Sequence, residues 1–209
     1  MIKHVSLAHG WYYHYRIHSD KTNILCNNGY SKLKSFLEET MNKCPDEHFV
    51  TGPRSSALRF SLSVKLKEDL NHEVSRLALQ GLQNMEQYKT GHSKVQMFML
   101  QFDNNSISVE TPIWMHSNEI KDFNKLFGGT TEPLSGHIDL LRVENDKKVW
   151  IWDYKPKAKC EKYASTQVFF YALMMSKRTG IPLNKFMCGY FDENIAYTFK
   201  PDIKMLKQL

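Results

Sequence analysis

The sequence predicts a mixed α/β fold, a central mixed β-sheet flanked by helices, with an N-terminal helical portion ahead of it. Three observations carry this expectation. From about residue 94 onward, short runs rich in Val, Ile and aromatic residues recur between turn-like stretches. Before them lie two segments whose apolar residues return every three or four positions. A further helical segment then divides the strand-like runs into a first four and a final two. The 209 residues suffice for one compact domain with a sizeable core.

Taken in order, residues 1–18 are rich in histidine and aromatics. Trp11, Tyr12, Tyr13 and Tyr15 are expected mainly to pack, with base stacking as the other use. His14 and His18 are four apart, a metal-binding spacing on a helix, although the alternation of Tyr13, Tyr15 and Ile17 fits a strand equally well. Ser31 is a candidate cap for a helix whose Leu33, Phe36, Leu37 and Met41 form one stripe ending before Pro45. A longer helix is expected over residues 61–88, with Leu62, Leu66, Leu70, Val74 and Leu77 on one face and Gly91 as its stop. VQMFMLQF and SISVETPIWM then read as strands joined by DNNS. Residues 117–133 read as a loop with at most a short helix. LSGHIDLLRV and KKVWIWDYK read as strands around the turn ENDK. A helix over 163–177 stops at Thr179-Gly180-Ile181-Pro182, and KFMCGYF and IAYTF form a last hairpin around Asp192-Glu193-Asn194.

Composition narrows the functional classes. Apolar residues make up 42% and charged residues 24%, as in ordinary globular proteins. No run of about 18 apolar residues offers a membrane span. The first 18 residues lack an apolar signal core and a small-residue cleavage site, so a soluble, cytoplasmic protein is expected. Cys26, Cys44, Cys160 and Cys188 are scattered without a CxxC pair, which points to reduced thiols rather than a zinc ribbon. The net charge of +6 suits a polyanionic partner.

The chemistry concentrates in residues 136–158. Alternation places Val149, Ile151, Asp153 and Lys155 on one face of a strand, with Trp150, Trp152 and Tyr154 on the other. His137, Asp139 and Leu141 share a face of the preceding strand. If the two strands pair, Asp139 and Asp153 converge, and two adjacent carboxylates repel unless a cation lies between them. Mg²⁺ is held in this manner, by a few carboxylates with water and substrate phosphate. The chain contains four acidic-x-Lys triplets: Glu119-Ile-Lys121, Asp146-Lys-Lys148, Asp153-Tyr-Lys155 and Asp202-Ile-Lys204. Only the one at Asp153 ends an apolar strand that follows another aspartate-bearing strand.

Together, Gly136-His-Ile-Asp139, Asp153-Tyr-Lys155 and Gln167-xxx-Tyr171 resemble, in that order, the GxxD, DxK and QxxxY motifs of the RecB-like branch of the PD-(D/E)XK nucleases. The resemblance runs from about Glu110 to Tyr171. It implies a restriction-endonuclease-like core over 61–209, with residues 1–60 packed on it as an N-terminal segment. It further implies that Asp139, Asp153 and the Tyr154 main-chain carbonyl bind Mg²⁺ or Mn²⁺, and that Lys155 assists the attacking water or neutralises the phosphate. Gln167 and Tyr171 would position the DNA and the lysine, and Glu110 would be the upstream acidic residue. The family also carries a histidine on an earlier helix. His72-Glu73 matches its HE context, without the glycine that often precedes it. The helical wheel of 61–88 favours Glu73 instead, so both stay candidates.

The expected function is thus a metal-dependent deoxyribonuclease acting on single- or double-stranded DNA ends. An exonuclease or flap-trimming role in repair, recombination or defence comes first. A structure-selective endonuclease of junction-resolvase type, or a catalytically silent nucleic-acid-binding module, are the alternatives. No iron–sulfur cluster, membrane association or GxxxxGK[ST] phosphate loop is expected, and homo-oligomerisation is left open.

Overall fold

The computed structural model describes residues 1–144 and 147–208. The chain opens with β1 (Ile2–Ala8), β2 (Tyr12–His18), α1 (Ser19–Cys26) and α2 (Ser31–Asn42). β3 (Lys67–Asp69), α3 (Glu73–Asn84), α4 (Gly91–Phe102) and β4 (Ser106–Met115) follow. After α5 (Phe123–Leu126) come β5 (Leu134–Val143), β6 (Val149–Tyr154), α6 (Ala164–Thr179), β7 (Phe186–Phe191) and β8 (Ala196–Phe199).

All eight strands form one mixed sheet in the order β1-β2-β4-β5-β6-β7-β8-β3. Neighbours are antiparallel except β6 and β7, which run parallel because the α6 crossover connects them. One face packs on α6 and α2, through residues such as Phe169, Phe170, Leu33 and Leu37. The other packs on α3 and α4, where Val74, Ala78, Val95 and Met99 meet Leu140, Trp152 and Tyr154. The side-chain alternation of β6 therefore divides the two cores, Val149 and Ile151 going to the first and Trp152 and Tyr154 to the second. Gly180, with φ +67°, ends α6 in the left-handed conformation that glycine tolerates best.

Several local expectations are corrected. Residues 1–18 form a hairpin that extends the sheet through β2 and β4, and the N-terminal helices begin only at Ser19. His14 and His18 thus lie about 13 Å apart along a strand, too far to share an ion. Ser31 is the first residue of α2 and Tyr30 holds the cap position, without a side-chain cap bond.

The helix expected over 61–88 exists only from Glu73 to Asn84. Upstream the backbone is claimed by other partners. Thr166 of α6 bonds both the carbonyl of Phe60 and the amide of Leu62, and residues 67–69 pair with β8. Leu66 and Leu70 of the supposed stripe are exposed. Gly91 starts a helix rather than stopping one, because the Thr90 hydroxyl accepts the Ser93 amide at 3.1 Å. VQMFMLQF consequently lies in α4, not in a strand, with Val95, Met99 and Leu100 inward. Gly81 allows this packing: a Cβ there would meet Val95 Cα of α4 at 3.1 Å. The strands SISVETPIWM and LSGHIDLLRV fall where expected, as does the last hairpin; Asn145 and Asp146 of the expected ENDK turn lie outside the described residues.

A buried ion cluster locks the far end of β5. The guanidinium of Arg142, wholly buried, reaches Asp103 Oδ2 at 2.8 Å, Glu73 Oε2 at 2.7 Å and Glu144 Oε1 at 2.6 Å. It joins the sheet to the start of α3 and to the turn between α4 and β4.

Candidate active site

β5 and β6 stay in register from Val143↔Val149 to Leu140↔Trp152 and then part. At that point the Tyr154 amide finds its acceptor in a side chain, donating to Asp139 Oδ2 at 2.9 Å. This bond brings Asp139 alongside Asp153, and the two aspartates open into a cleft of about 290 Å³. Tyr13, Arg54, Ser56, His92, Glu110, Gly136, His137, Lys155, Gln167 and Tyr171 complete its lining.

Asp153 is nearly inaccessible, and each of its oxygens faces a different neighbour. Gln167 Nε2 donates to Oδ1 at 3.2 Å and to the Tyr171 hydroxyl at 2.9 Å. Lys155 Nζ stands 2.7 Å from Oδ2 as an ion pair. Burial opposes the charge on Lys155, but Asp153 and Asp139 outweigh it and push the ammonium up to about 12. Lys155 is therefore a fixed cation at neutral pH.

The spacing of the motifs follows from close packing. A Cβ on Gly136 would sit 2.5 Å from Tyr171 Cε1, so only glycine leaves room for the ring that holds Gln167. Glu110 enters from β4, where the flanking pairs Val109↔Leu140 and Thr111↔Ile138 put it across from Asp139. Its φ of +53° is a left-handed conformation, costly for a residue with a side chain. Gln96 of α4 donates to Glu110 Oε1 at 2.6 Å. Together with the bulge after Ser106, this conformation resets the alternation of β4: Ile107 and Ile113 face the α6 core and Val109 the α3–α4 core.

Electrostatically the cleft crowds three carboxyl groups against one another. Burial, then Asp153 and Glu110, push the Asp139 carboxyl well above the usual carboxylate range. Burial also raises Glu110, with Asp153 adding to the effect against the Gln96 bond. Such a group of carboxylates, with one imidazole beside it, fits a hard divalent cation by donor chemistry.

A family model of the PD-(D/E)XK nuclease superfamily matches residues 25–203, most of the chain. The chain belongs to the PD-(D/E)XK nuclease superfamily. Members are in general metal-dependent nucleases with nucleic-acid substrates. Comparison with curated proteins gives no match. A solved structure titled "Crystal structure of SSO0001" overlays with a TM-score of 0.40 and 13% identity, covering 85% of this chain and 79% of that one. No helix among the described residues is long and apolar enough to cross a membrane.

Of the sequence-predicted residues, the cleft gathers Asp139, Asp153, Lys155, Glu110, Gln167 and Tyr171. His72 and Glu73 are not among them. His72 caps α3 through a 3.3 Å contact to the Val74 amide, and its ring lies 5.1 Å from that of Trp152, on the sheet face opposite Asp153. Glu73 is engaged by Arg142. The helix histidine at the cleft is His92, whose Nε2 lies 3.8 Å from Asp139 Oδ2 and whose ring meets Tyr154 edge-on. Burial lowers its pKa, with Asp153 opposing, so a neutral imidazole is favoured. The dipeptide Gly91-His92 carries the glycine that position 72 lacks, and that was the signal available in the sequence. Gly91 sits against the Tyr154 ring, 3.7 Å from where a Cβ would stand.

Further cleft residues lie outside the assigned motif positions, among them Tyr13, Arg54, Ser56 and His137. His137 stacks on Tyr13 with ring centroids 3.6 Å apart, and Arg54 Nη2 donates to the Tyr13 hydroxyl at 2.9 Å. Arg54 thereby places a second positive charge at the cleft. Tyr15 packs in the core, whereas Trp11 and Tyr12 are exposed.

Proposed function

We propose that this protein is a Mg²⁺- or Mn²⁺-dependent deoxyribonuclease of the RecB-like branch, trimming DNA ends or flaps. The observation that carries the reading is the convergence of Asp139, Asp153 and Lys155 on one cleft, braced by Gln167 and Tyr171. Asp139, Asp153, the Tyr154 carbonyl, Glu110 and His92 are the proposed ligands, His92 taking the place that sequence reasoning gave to His72 or Glu73. A divalent ion bound there supplies Lewis-acid polarisation of the scissile phosphate and an acidified water.

The protein groups divide the remaining work. Lys155, charged at neutral pH, suits neutralisation of developing phosphate charge better than proton abstraction. Gln167 fixes the orientation of Asp153, and Tyr171 fixes Gln167. Arg54 stands ready for a neighbouring phosphate, with Tyr13 and His137 beneath it as a rigid aromatic support.

Cleavage of labelled single- and double-stranded DNA with Mg²⁺ or Mn²⁺ tests the proposal. Asp153→Ala, Lys155→Ala and Asp139→Ala should each lower kcat by at least about a hundredfold, the scale of losing one electrostatic stabiliser. Undiminished cutting by these variants would reject the assignment. Circular single-stranded DNA separates the modes, since an end-trimming enzyme leaves it intact.

A further inference from the structure

A second set of donors converges away from the carboxylates. His9 lies in the turn between β1 and β2, its ring wholly buried and stacked on Phe49 at 4.0 Å. Its Nε2 stands 2.8 Å from Asp46 Oδ1 and 3.9 Å from Cys44 Sγ. The three donor atoms all lie within 4.8 Å of one another, and among the described residues no other trio of His, Cys, Asp or Glu does so. The nuclease chemistry proposed above makes no use of them.

We infer that His9, Cys44 and Asp46 form a second metal site, for a borderline-soft divalent cation such as Zn²⁺. The donor set decides the cation: a thiolate and an imidazole select zinc over magnesium, unlike the oxygen-rich cleft. The spacing is close to what zinc requires. Tetrahedral coordination at ordinary bond lengths separates nitrogen from sulfur by about 3.6 Å and nitrogen from oxygen by about 3.3 Å. Both separations are reached by movements of a few tenths of an ångström. Cys44 and Asp46 flank Pro45 just after α2, so two ligands come from one stiff turn.

Two further features favour the site. A metal-ligating histidine ordinarily has its second ring nitrogen bonded to an outer partner, which fixes the ring. His9 Nδ1 is 2.9 Å from His137 Nε2, which supplies that partner. The Asp46 side chain is 63% exposed, leaving a fourth position open to water. Occupied, the site fastens the β1–β2 hairpin to the end of α2 and, through the His137–Tyr13 stack, stiffens one wall of the cleft.

The test uses full-length protein carrying Asp139→Asn, so that the cleft competes less for metal. After chelator treatment, Zn²⁺ loading and gel filtration, metal content is measured by mass spectrometry. One equivalent is expected to remain. Adding Cys44→Ser or Asp46→Asn should weaken it by more than the roughly tenfold that loss of an outer partner costs. Co²⁺ in place of Zn²⁺ should give a thiolate charge-transfer band that Cys44→Ser abolishes. Asp46→Asn changes an exposed side chain, so circular dichroism should show it folded. Failure to retain zinc, or zinc content and cobalt spectra indifferent to both substitutions, would overturn the inference.

Discussion

The Tyr171 ring occupies the space that any side chain at position 136 would need, Cε1 lying 2.5 Å from the position of a Cβ there. Gly136→Ala therefore pushes Tyr171 away from Gln167. Overpacking of this kind costs about 1–3 kcal/mol, and each kcal/mol lowers Tm by about 2–4 °C in a chain of this size. Cleavage should fall together with Tm. Tyr171→Phe, which keeps the ring and removes the hydroxyl, should lower cleavage with a smaller loss of Tm. A Gly136→Ala protein with unchanged melting and activity would contradict this packing.

Asp139 predicts a pH-dependent stability difference. Its folded pKa is raised, so the folded state holds that proton more tightly than the unfolded chain. The stability it contributes is complete below the unfolded value of about 3.9 and is lost as pH rises through the folded value. Metal-free Asp139→Asn escapes that loss. It should melt a few degrees above the parent at neutral pH, at about 2–4 °C per kcal/mol, the gap closing on acidification. A variant that melts lower at pH 7 would refute the prediction.

His137 carries the opposite sign. Burial, then Arg54 and His9, hold its pKa well below the usual imidazole value. Its contribution is complete above the unfolded value of about 6.5 and is lost as pH falls toward the folded one. His137→Phe keeps a flat ring against Tyr13 and has nothing to protonate. Melting curves between pH 7 and 5 should fall less steeply for the variant, and parallel curves would dismiss the buried neutral imidazole as a cause.

Arg142 makes the largest predicted loss of stability. Arg142→Met leaves Asp103 buried without its cation and should cost about 3–5 kcal/mol in urea unfolding. Adding Asp103→Asn should recover part of it, because the orphaned charge is what makes the single change expensive. A single variant within 1 kcal/mol of the parent, by the same order-of-magnitude measure, would rule this out.

The second half of the chain was legible because its strands are apolar runs bounded by turn residues, even where Glu110 resets the alternation of one of them. SISVETPIWM and LSGHIDLLRV are such runs, and the three motifs fall in one contiguous stretch. The first half misled for a physical reason. Leu62, Leu66, Leu70, Val74 and Leu77 keep helical spacing, yet the backbone through Leu62 is held by Thr166 more than a hundred residues away, and 67–69 are held by β8. No local period encodes such partners. VQMFMLQF reads as a strand and is a helix, because a short apolar run does not separate the two and the Thr90 cap starts a helix there. Misplacing that helix hid His92 at its start. The place of Tyr13 and Arg54 at the cleft has no local signal, because only the folded sheet brings there the N-terminal hairpin and the later segment that Arg54 bridges to Ser135 of β5.

Glu110 shows what such a cleft demands of its scaffold. A non-glycine residue held at φ +53° carries roughly 1–3 kcal/mol of conformational penalty, in a strand that also confines carboxylates against one another. Laboratory evolution for heat tolerance alone should find Glu110→Gly or Asp139→Asn among its early winners. Each would trade enzymatic capacity for a more comfortable polypeptide.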